Sequence, residues 1–199
     1  MDDAWRIDLT KVKRGWVLIV IDDSTRKVVH WHIKTSPHGG NSFTSKDVVD
    51  NLTEGMHSYQ RPFVLQTDSG GQFLTPLFKQ FLQEQGVTHS LGNASKQRHH
   101  NQVIERFNRT LKANLKKKAK VYFNLSAQSK DFKWTRNLSD NEISKWIQEV
   151  ILEFNDKPHN HSRGASPIEM ETALVGVPLN QSYLPMLAAE SSEGLSFFV

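Results

Sequence analysis

The chain has 199 residues, with 25 Lys and Arg, 21 Asp and Glu, and no Cys. The absence of Cys excludes a disulfide scaffold, a Cys-ligated zinc finger, a thiol nucleophile and an iron–sulfur site. The net charge of +4 favours a polyanionic partner. No apolar run is long enough to span a membrane, and the first residues lack the pattern of a signal peptide. We therefore expect a cytoplasmic protein in a bacterium, or a nuclear one in a eukaryote or virus.

The first third of the sequence is typical of three consecutive strands. They are a partly alternating segment, a continuous apolar run and a β-branched, aromatic segment, at residues 5–10, 16–21 and 28–33. The acids and serine of residues 22–24 supply turn chemistry between the last two. Short connections of this kind predict an antiparallel meander. A helix is predicted next, from about Ser45 to His57, with Ser45 as its N-cap.

The rest of the chain mixes strands and helices. Residues 63–65 and 87–90 are typical of strands, and an apolar helix face between them ends at Gly86. The residues predicted for that face are Leu77, Phe78, Phe81 and Leu82. A polar loop over 91–100 precedes a long helix from about Asn101 to past Leu115. Further helices are predicted over about 140–154 and from Ser166, which gives a mixed α/β layer fold.

Two acids lie in or beside the apolar strands. Asp8 is inside the first strand, and Asp68 is placed where a strand meets a Gly-rich turn. Acids are poor strand residues and are costly to bury alone, and sites in open α/β sheets gather at the carboxyl ends of strands. A functional role and a simple turn or capping role both stay open for each acid taken alone.

A third acid, Glu105, belongs to a polar line on the long helix. At about 100° per residue, one stripe of this helix is apolar and an adjacent stripe is polar. The apolar stripe contains Ile104, Phe107, Leu111 and Leu115, and the polar stripe contains Asn101, Glu105, Asn108 and Lys112. The polar stripe is either a site facing the sheet or an ordinary solvated face.

The chemistry of carboxylates connects these three acids. Carboxylates that converge repel one another and cannot all stay ionised at neutral pH. A divalent cation removes that conflict, and Mg²⁺ favours carboxylates, water and phosphate oxygens. Two such ions can activate an attacking oxygen and stabilise the leaving one in phosphodiester displacement.

Four segments together resemble the catalytic core of retroviral integrases and related bacterial transposases, the Asp, Asp-35-Glu group with a ribonuclease H-like fold. They are residues 5–10, 65–73 and 101–112, and a closing segment made of Phe154, Asn155 and His159 with residues 166–169. The likeness spans about Trp5 to Glu169. It departs from the family pattern in one spacing, because 36 residues lie between Asp68 and Glu105.

The resemblance implies that Asp8, Asp68 and Glu105 are catalytic and ligate two Mg²⁺ or Mn²⁺ ions. It implies processing of DNA 3′ ends and their transfer into target DNA, by a dimer or higher assembly built on a five-stranded mixed sheet between helices. It also implies that Asn101 lies near the active site, and that Asn108 and Lys112 lie close to metal or to the DNA of a mobile-element end.

Basic residues extend this prediction towards DNA. The basic residues on the long helix are predicted to contact DNA phosphates. Alternatively, they lie on a solvated helix end, where the helix dipole favours positive charge. Those in the polar loop could steer a DNA end or be incidental. The predicted DNA contacts are Lys96, Arg98, His100, Asn101, Asn108, Arg109, Lys112 and Lys116.

We expect residues 1–175 to form the catalytic core and 176–199 a partly mobile tail. Because the chain begins almost at the first strand, we expect it to lack the family's amino-terminal module. Two other functions therefore stay open. One is a DNA-docking and dimerisation module with little catalysis of its own, and the other is a nuclease of the same fold.

Overall fold

A computed structural model describes residues 4–12, 15–35, 42–92, 102–124, 138–159 and 164–175. The strands within these ranges are β1 (Ala4–Val12), β2 (Gly15–Asp22), β3 (Val28–Thr35), β4 (Val64–Thr67) and β5 (Thr88–Leu91). The helices are α1 (Ser45–Ser58), α2 (Pro76–Glu84), α3 (Gln102–Tyr122), α4 (Asp140–Asp156) and α5 (Pro167–Val175). The predicted tail, 176–199, lies outside the described residues.

The strands form one mixed sheet in the order β3-β2-β1-β4-β5. The first three strands pair antiparallel, as the short connections predict. The pairings of β1 with β4 and of β4 with β5 are parallel. The expected five-stranded mixed sheet with flanking helices is therefore confirmed.

Helices cover both faces of the sheet and enclose two apolar clusters. The first cluster joins β2 to α3 and α4, and the second joins β1, β2 and β4 to α1 and α2. Alternate residues of β2 enter the two clusters, so the apolar run from Val17 to Ile21 is fully buried. Burial on both faces explains why this strand has no polar alternation.

The cap of α1 differs from the prediction. Thr44, rather than Ser45, is the N-cap, and its hydroxyl accepts from the backbone N–H of Asp47. The Asp47 carboxylate in turn accepts from the Thr44 N–H at 2.6 Å, which completes a capping box. The Ser45 hydroxyl is used elsewhere, because it donates to the Gln72 carbonyl at 2.8 Å.

Other boundaries move by a few residues. Strand β4 begins after Phe63, which is exposed, and extends to Thr67. Leu77 is also exposed and does not belong to the buried face of α2.

Two predicted helix boundaries are confirmed. Gly86 follows α2 with a φ of 65°, which favours glycine at the end of a helix. Pro167 begins α5 behind a reciprocal pair of hydrogen bonds between Ser166 and Glu169, as the sequence pattern indicates.

Candidate active site

Strand register brings the first two acids side by side. In the parallel pair of β1 and β4, Arg6 is the partner of Gln66. Two residues further along each strand are Asp8 and Asp68. Because side chains alternate between the faces of a sheet, both acids lie on the face opposite Ile7 and Leu65, which pack in the cluster beneath α1 and α2. Asp8 and Asp68 therefore lie on the face that α3 covers.

The third acid comes from the first turn of α3. Its neighbours Ile104 and Phe107 are buried against the sheet, as the apolar stripe predicts. This orientation leaves Glu105 exposed at the edge of the helix, where it lines the same cavity as Asp8 and Asp68. Asp8, Asp68 and Glu105 line a single cavity of about 130 Å³, which Arg6, Ile7, Gln66 and Ile104 complete.

Asp8 is held by two hydrogen bonds. Its Oδ1 accepts from the backbone N–H of Leu9 at 2.8 Å, and its Oδ2 accepts from Nδ2 of Asn108 at 2.6 Å. Burial raises the pKa of the Asp8 carboxyl and the charge of Asp68 raises it further, against the lowering effects of both hydrogen bonds and of Lys112. The net pKa is raised, so neutral pH imposes an unfavourable charge at this position.

Asp68 is exposed and is positioned by the turn that follows β4. Its Oδ1 accepts from the backbone N–H of Gly70 at 2.9 Å. A Cβ added at Gly70 would lie 2.9 Å from that same oxygen. A larger residue at position 70 would therefore force the Asp68 carboxylate or its neighbour Gln72 to shift, whereas a Cβ at Gly71 would meet nothing within 4 Å.

The donor set suits a hard divalent cation, although the acids do not form a closed cage. Carboxylate oxygens are the ligands that Mg²⁺ and Mn²⁺ prefer, and three carboxylates face one cavity. Across the described ranges, no three Asp, Glu, His or Cys side chains are grouped closely enough to hold an ion as they stand. Glu105 is exposed, so its side chain can reorient towards Asp8 without breaking the core.

The remaining predicted residues divide into three groups. Arg109, Lys112 and Lys116 are exposed on α3, and their spacing continues the line of Glu105 along one side of the helix. Asn108 is buried and contacts Asp8 directly. The other predicted contacts lie outside the described residues: Lys96, Arg98, His100 and Asn101.

Sequence reasoning missed Arg6 as part of this cavity. Arg6 is buried, and its Nε and Nη2 donate to the two carboxylate oxygens of Asp23 at 2.9 and 2.8 Å. Its Nη1 is buried without a hydrogen-bond partner in the described part of the chain. A charged residue two positions before Asp8 in an apolar strand is a signal that would have indicated the same face.

The amino-terminal half of the chain matches a known domain family. Residues 1–97, just under half of the chain, match the integrase core domain family. No curated protein matches the chain.

Solved structures resemble most of the chain. The integrase catalytic core domain of HTLV-2, solved in complex with magnesium in a dimeric form, has a TM-score of 0.60 at 17% identity, over 85% of this chain and 94% of that chain. The catalytic core domain of BIV integrase has a TM-score of 0.61 at 16% identity, over 88% of this chain and 99% of that chain. A simian T-cell lymphotropic virus intasome in complex with the PP2A regulatory subunit B56 gamma has a TM-score of 0.58 at 18% identity, over 77% of this chain and 48% of that chain.

Likeness at these identities establishes the fold. The resemblance to integrase cores is confirmed by the family match over residues 1–97 and by the shared architecture beyond it. The chain has the ribonuclease H-like fold of retroviral integrase catalytic cores, and its first 97 residues match the integrase core domain.

Proposed function

We propose that this chain is a divalent-metal-dependent polynucleotidyl transferase that processes DNA 3′ ends and joins them to target DNA. The observation that carries the proposal is the shared cavity of Asp8, Asp68 and Glu105. These acids come from two neighbouring parallel strands and from a helix packed over them. Asp8 lies within β1, and Asp68 directly follows the carboxyl end of β4, a position at which sites in open α/β sheets form.

The proposed reaction is two displacements at phosphorus. In the first, a water oxygen attacks a phosphodiester near the DNA end, the bond from phosphorus to the 3′ oxygen breaks, and a free 3′ hydroxyl remains. In the second, that hydroxyl attacks a target phosphodiester and displaces the target's own 3′ oxygen. Each step makes one P–O bond and breaks one, so neither needs an oxidant or an energy-rich cofactor.

Asp8, Asp68 and Glu105 would hold Mg²⁺ or Mn²⁺, with two ions in the complete complex. When bound, the ions would activate the attacking oxygen and stabilise the charge on the leaving one. The protein's own contribution is to hold the carboxylates. Asn108 and the Leu9 N–H fix Asp8, and the Gly70 N–H fixes Asp68.

The proposed partner is DNA, both mobile-element ends and target. The exposed cations Arg109, Lys112 and Lys116 continue along α3 from Glu105 and could neutralise phosphates that lead to the cavity. We further propose a homodimer or higher assembly, which the dimeric form of the HTLV-2 core motivates. Among the helices described, none is long and apolar enough to cross a membrane.

A strand-joining assay tests the proposed function. Purified protein is incubated with a pre-processed DNA end, a target plasmid and Mn²⁺, and joined products are measured. We expect Glu105→Gln to lower product by at least about 100-fold, because a ligand should matter at least as much as the groups that support ligands. Glu84→Gln, on the exposed side of α2, is the matched control and should keep wild-type activity. Equal product from wild type and Glu105→Gln would reject the assignment.

A second function is a DNA-docking and dimerisation module with little catalysis of its own. The observation that favours it is that the acids do not form a closed cage in the described part of the chain. Calorimetric titration separates the two functions. Heat from Mn²⁺ that disappears in Glu105→Gln supports the enzyme, whereas salt-sensitive DNA binding without metal heat supports the module.

A further inference from the structure

A hydrogen-bonded pair lies behind Asp68, on the opposite face of the sheet. Thr67, the last residue of β4, is buried and points towards the cluster beneath α1 and α2. Its Oγ1 donates to the backbone carbonyl of Asp68 at 2.8 Å. Nε2 of His89, on the neighbouring strand β5, lies 2.9 Å from the same Oγ1. A side chain on β5 is therefore connected, through one hydroxyl, to the backbone of an acid that lines the cavity.

The direction of these bonds follows from proton counting. A carbonyl oxygen can only accept, so the single hydroxyl proton of Thr67 points to Asp68. Nε2 of His89 must then donate to Oγ1, which fixes the neutral ring as the Nε2–H tautomer. Burial lowers the pKa of His89 and the charge of Lys79 lowers it further, in agreement with a neutral ring. The ring is also held edge-on against Phe78, with centroids 5.3 Å apart.

Asp68 is consequently held at two points. Thr67 holds its carbonyl from behind the sheet, and the Gly70 N–H holds its carboxylate in front. Since Asp68 is exposed and follows the last residue of β4, packing does little to fix its direction. The hydrogen bonds around it have to do so.

We propose that His89 is a positioning residue for Asp68, acting through Thr67 to fix the backbone at the end of β4 and hence the direction of the Asp68 carboxylate in the cavity. The proposal rests on the proposed function, in which Asp68 ligates a divalent ion. His89 itself does not face the cavity, so its effect is on the geometry of a ligand and not on the reacting atoms.

Two substitutions at His89 separate hydrogen bonding from packing. His89→Phe keeps an aromatic ring against Phe78 but removes the N–H donor, whereas His89→Gln keeps an amide donor and removes the ring. We expect His89→Phe to weaken Mn²⁺ binding about tenfold, as is typical when a group that orients a metal ligand is lost. His89→Gln should restore the wild-type affinity. Affinity is measured without DNA, by electron paramagnetic resonance of free Mn²⁺.

Thr67→Val provides a second route to the same result. It removes the hydroxyl with little change in shape, and we expect the same loss of Mn²⁺ affinity as in His89→Phe. The double variant should bind no more weakly than either single variant, because both substitutions break one connection. His57→Phe, on the exposed end of α1, is the control and should bind Mn²⁺ like wild type. Additive losses in the double variant would overturn the proposal.

A metal-free measurement distinguishes failure of this proposal from failure of the proposed function. The Gly70 amide proton donates to Asp68 Oδ1 and so reports where the carboxylate lies. Its NMR shift should change in His89→Phe and return in His89→Gln, and the His89 nitrogen shifts should show the Nε2–H tautomer. If wild type binds no Mn²⁺, the proposed function fails and these spectra still decide the positioning role. If wild type binds Mn²⁺ but His89→Phe matches it, or if His89 shows the Nδ1–H tautomer, the positioning role is rejected.

Discussion

Strands β1 and β2 pair over their whole length, but their side chains have different roles. Five consecutive residues of β2, from Val17 to Ile21, are fully buried and apolar, and they supply both clusters of the core. Strand β1 presents Arg6, Asp8 and Thr10 on the face that α3 covers. The same backbone pairing therefore supports a strand devoted to stability and a strand that gives part of its interior to a site.

The ionised carboxylate on the polar face of β1 is energetically unfavourable in the folded protein. Burial raises the pKa of Asp8, so its ionised form is less favourable in the folded protein than in water. Hydrogen bonds from Leu9 and Asn108 offset only part of that penalty. Asp8 therefore lowers the stability of the folded protein at neutral pH, whereas the apolar residues of β2 raise it.

The largest loss of stability is expected when a cavity is made in the core around β2. Ile19→Ala removes a side chain that is 0% exposed, and we expect the free energy of unfolding to fall by about 2–5 kcal/mol. Urea unfolding measures the change. Leu152→Ala, on the exposed side of α4, is the control and should change it by less than about 0.5 kcal/mol. A cost at Ile19 as small as that of the control would show that β2 is not the packed centre.

The opposite result is expected in β1. Asp8→Asn should lower strand joining by at least about 100-fold while raising the melting temperature of the protein in EDTA at pH 7. The gain arises because the substitution removes a carboxylate whose pKa is raised on folding. The buried Oδ1 of Asn108, which has no partner among the described residues, can accept from the introduced amide if Asn108 flips.

The sign of this effect can be followed with pH. A raised folded pKa destabilises the folded state above the ordinary value of 3.8, so the advantage of Asp8→Asn should vanish as the pH falls below that value. Asp50→Asn, an exposed acid on α1, is the control for both measurements. A lower melting temperature for Asp8→Asn at pH 7 would contradict the claim that the ionised acid destabilises the folded protein.

A smaller effect should come from the residue that holds Asp8. Asn108→Ala removes the donor to Asp8 Oδ2, and we expect strand joining to fall by about 10–100-fold. The Mn²⁺ affinity measured by titration should fall in parallel, because the carboxylate loses its orientation. Asn114→Ala, further along α3, is the control. Wild-type activity in Asn108→Ala would show that Asp8 needs no support from α3.

The smallest effect concerns a region remote from both strands, the capping box of α1. Burial opposes ionisation of Asp47, but hydrogen bonds from Lys34 and Thr44 outweigh it and lower its pKa to about 2. A lowered folded pKa gives stability that is complete above about pH 4 and is lost as the pH falls towards 2. Asp47→Asn should therefore cost about 1 kcal/mol or less at pH 7, and thermal melts of the variant and wild type should converge near pH 2. A constant difference down to pH 2 would exclude the ionised carboxylate as the source.

Much of the architecture is predictable from local patterns. The apolar run of β2, the stripe of Ile104, Phe107 and Leu111 on α3, and the capping pair of Ser166 and Glu169 each identify their elements. The prediction for Ser45 fails because a tertiary contact overrides a local preference, and the prediction for Phe63 fails at a strand boundary. Ser45 resembles a cap, but its hydroxyl is taken by the Gln72 carbonyl, and Thr44 replaces it. Phe63 resembles a strand residue, but it precedes β4 and is exposed.

What the sequence determined by itself is the list of elements and the three acids, because hydrophobic periodicity and residue chemistry are local properties. Only the tertiary structure decided that these acids face one cavity, since this depends on the parallel register of β1 with β4 and on how α3 packs across them. Arg6 lines the same cavity as acids that are distant from it in sequence. The hydrogen bonds from His89 through Thr67 to Asp68 connect two strands and the opposite faces of the sheet. No pattern along the chain specifies such contacts, because they form only when separate strands pair and their helices pack.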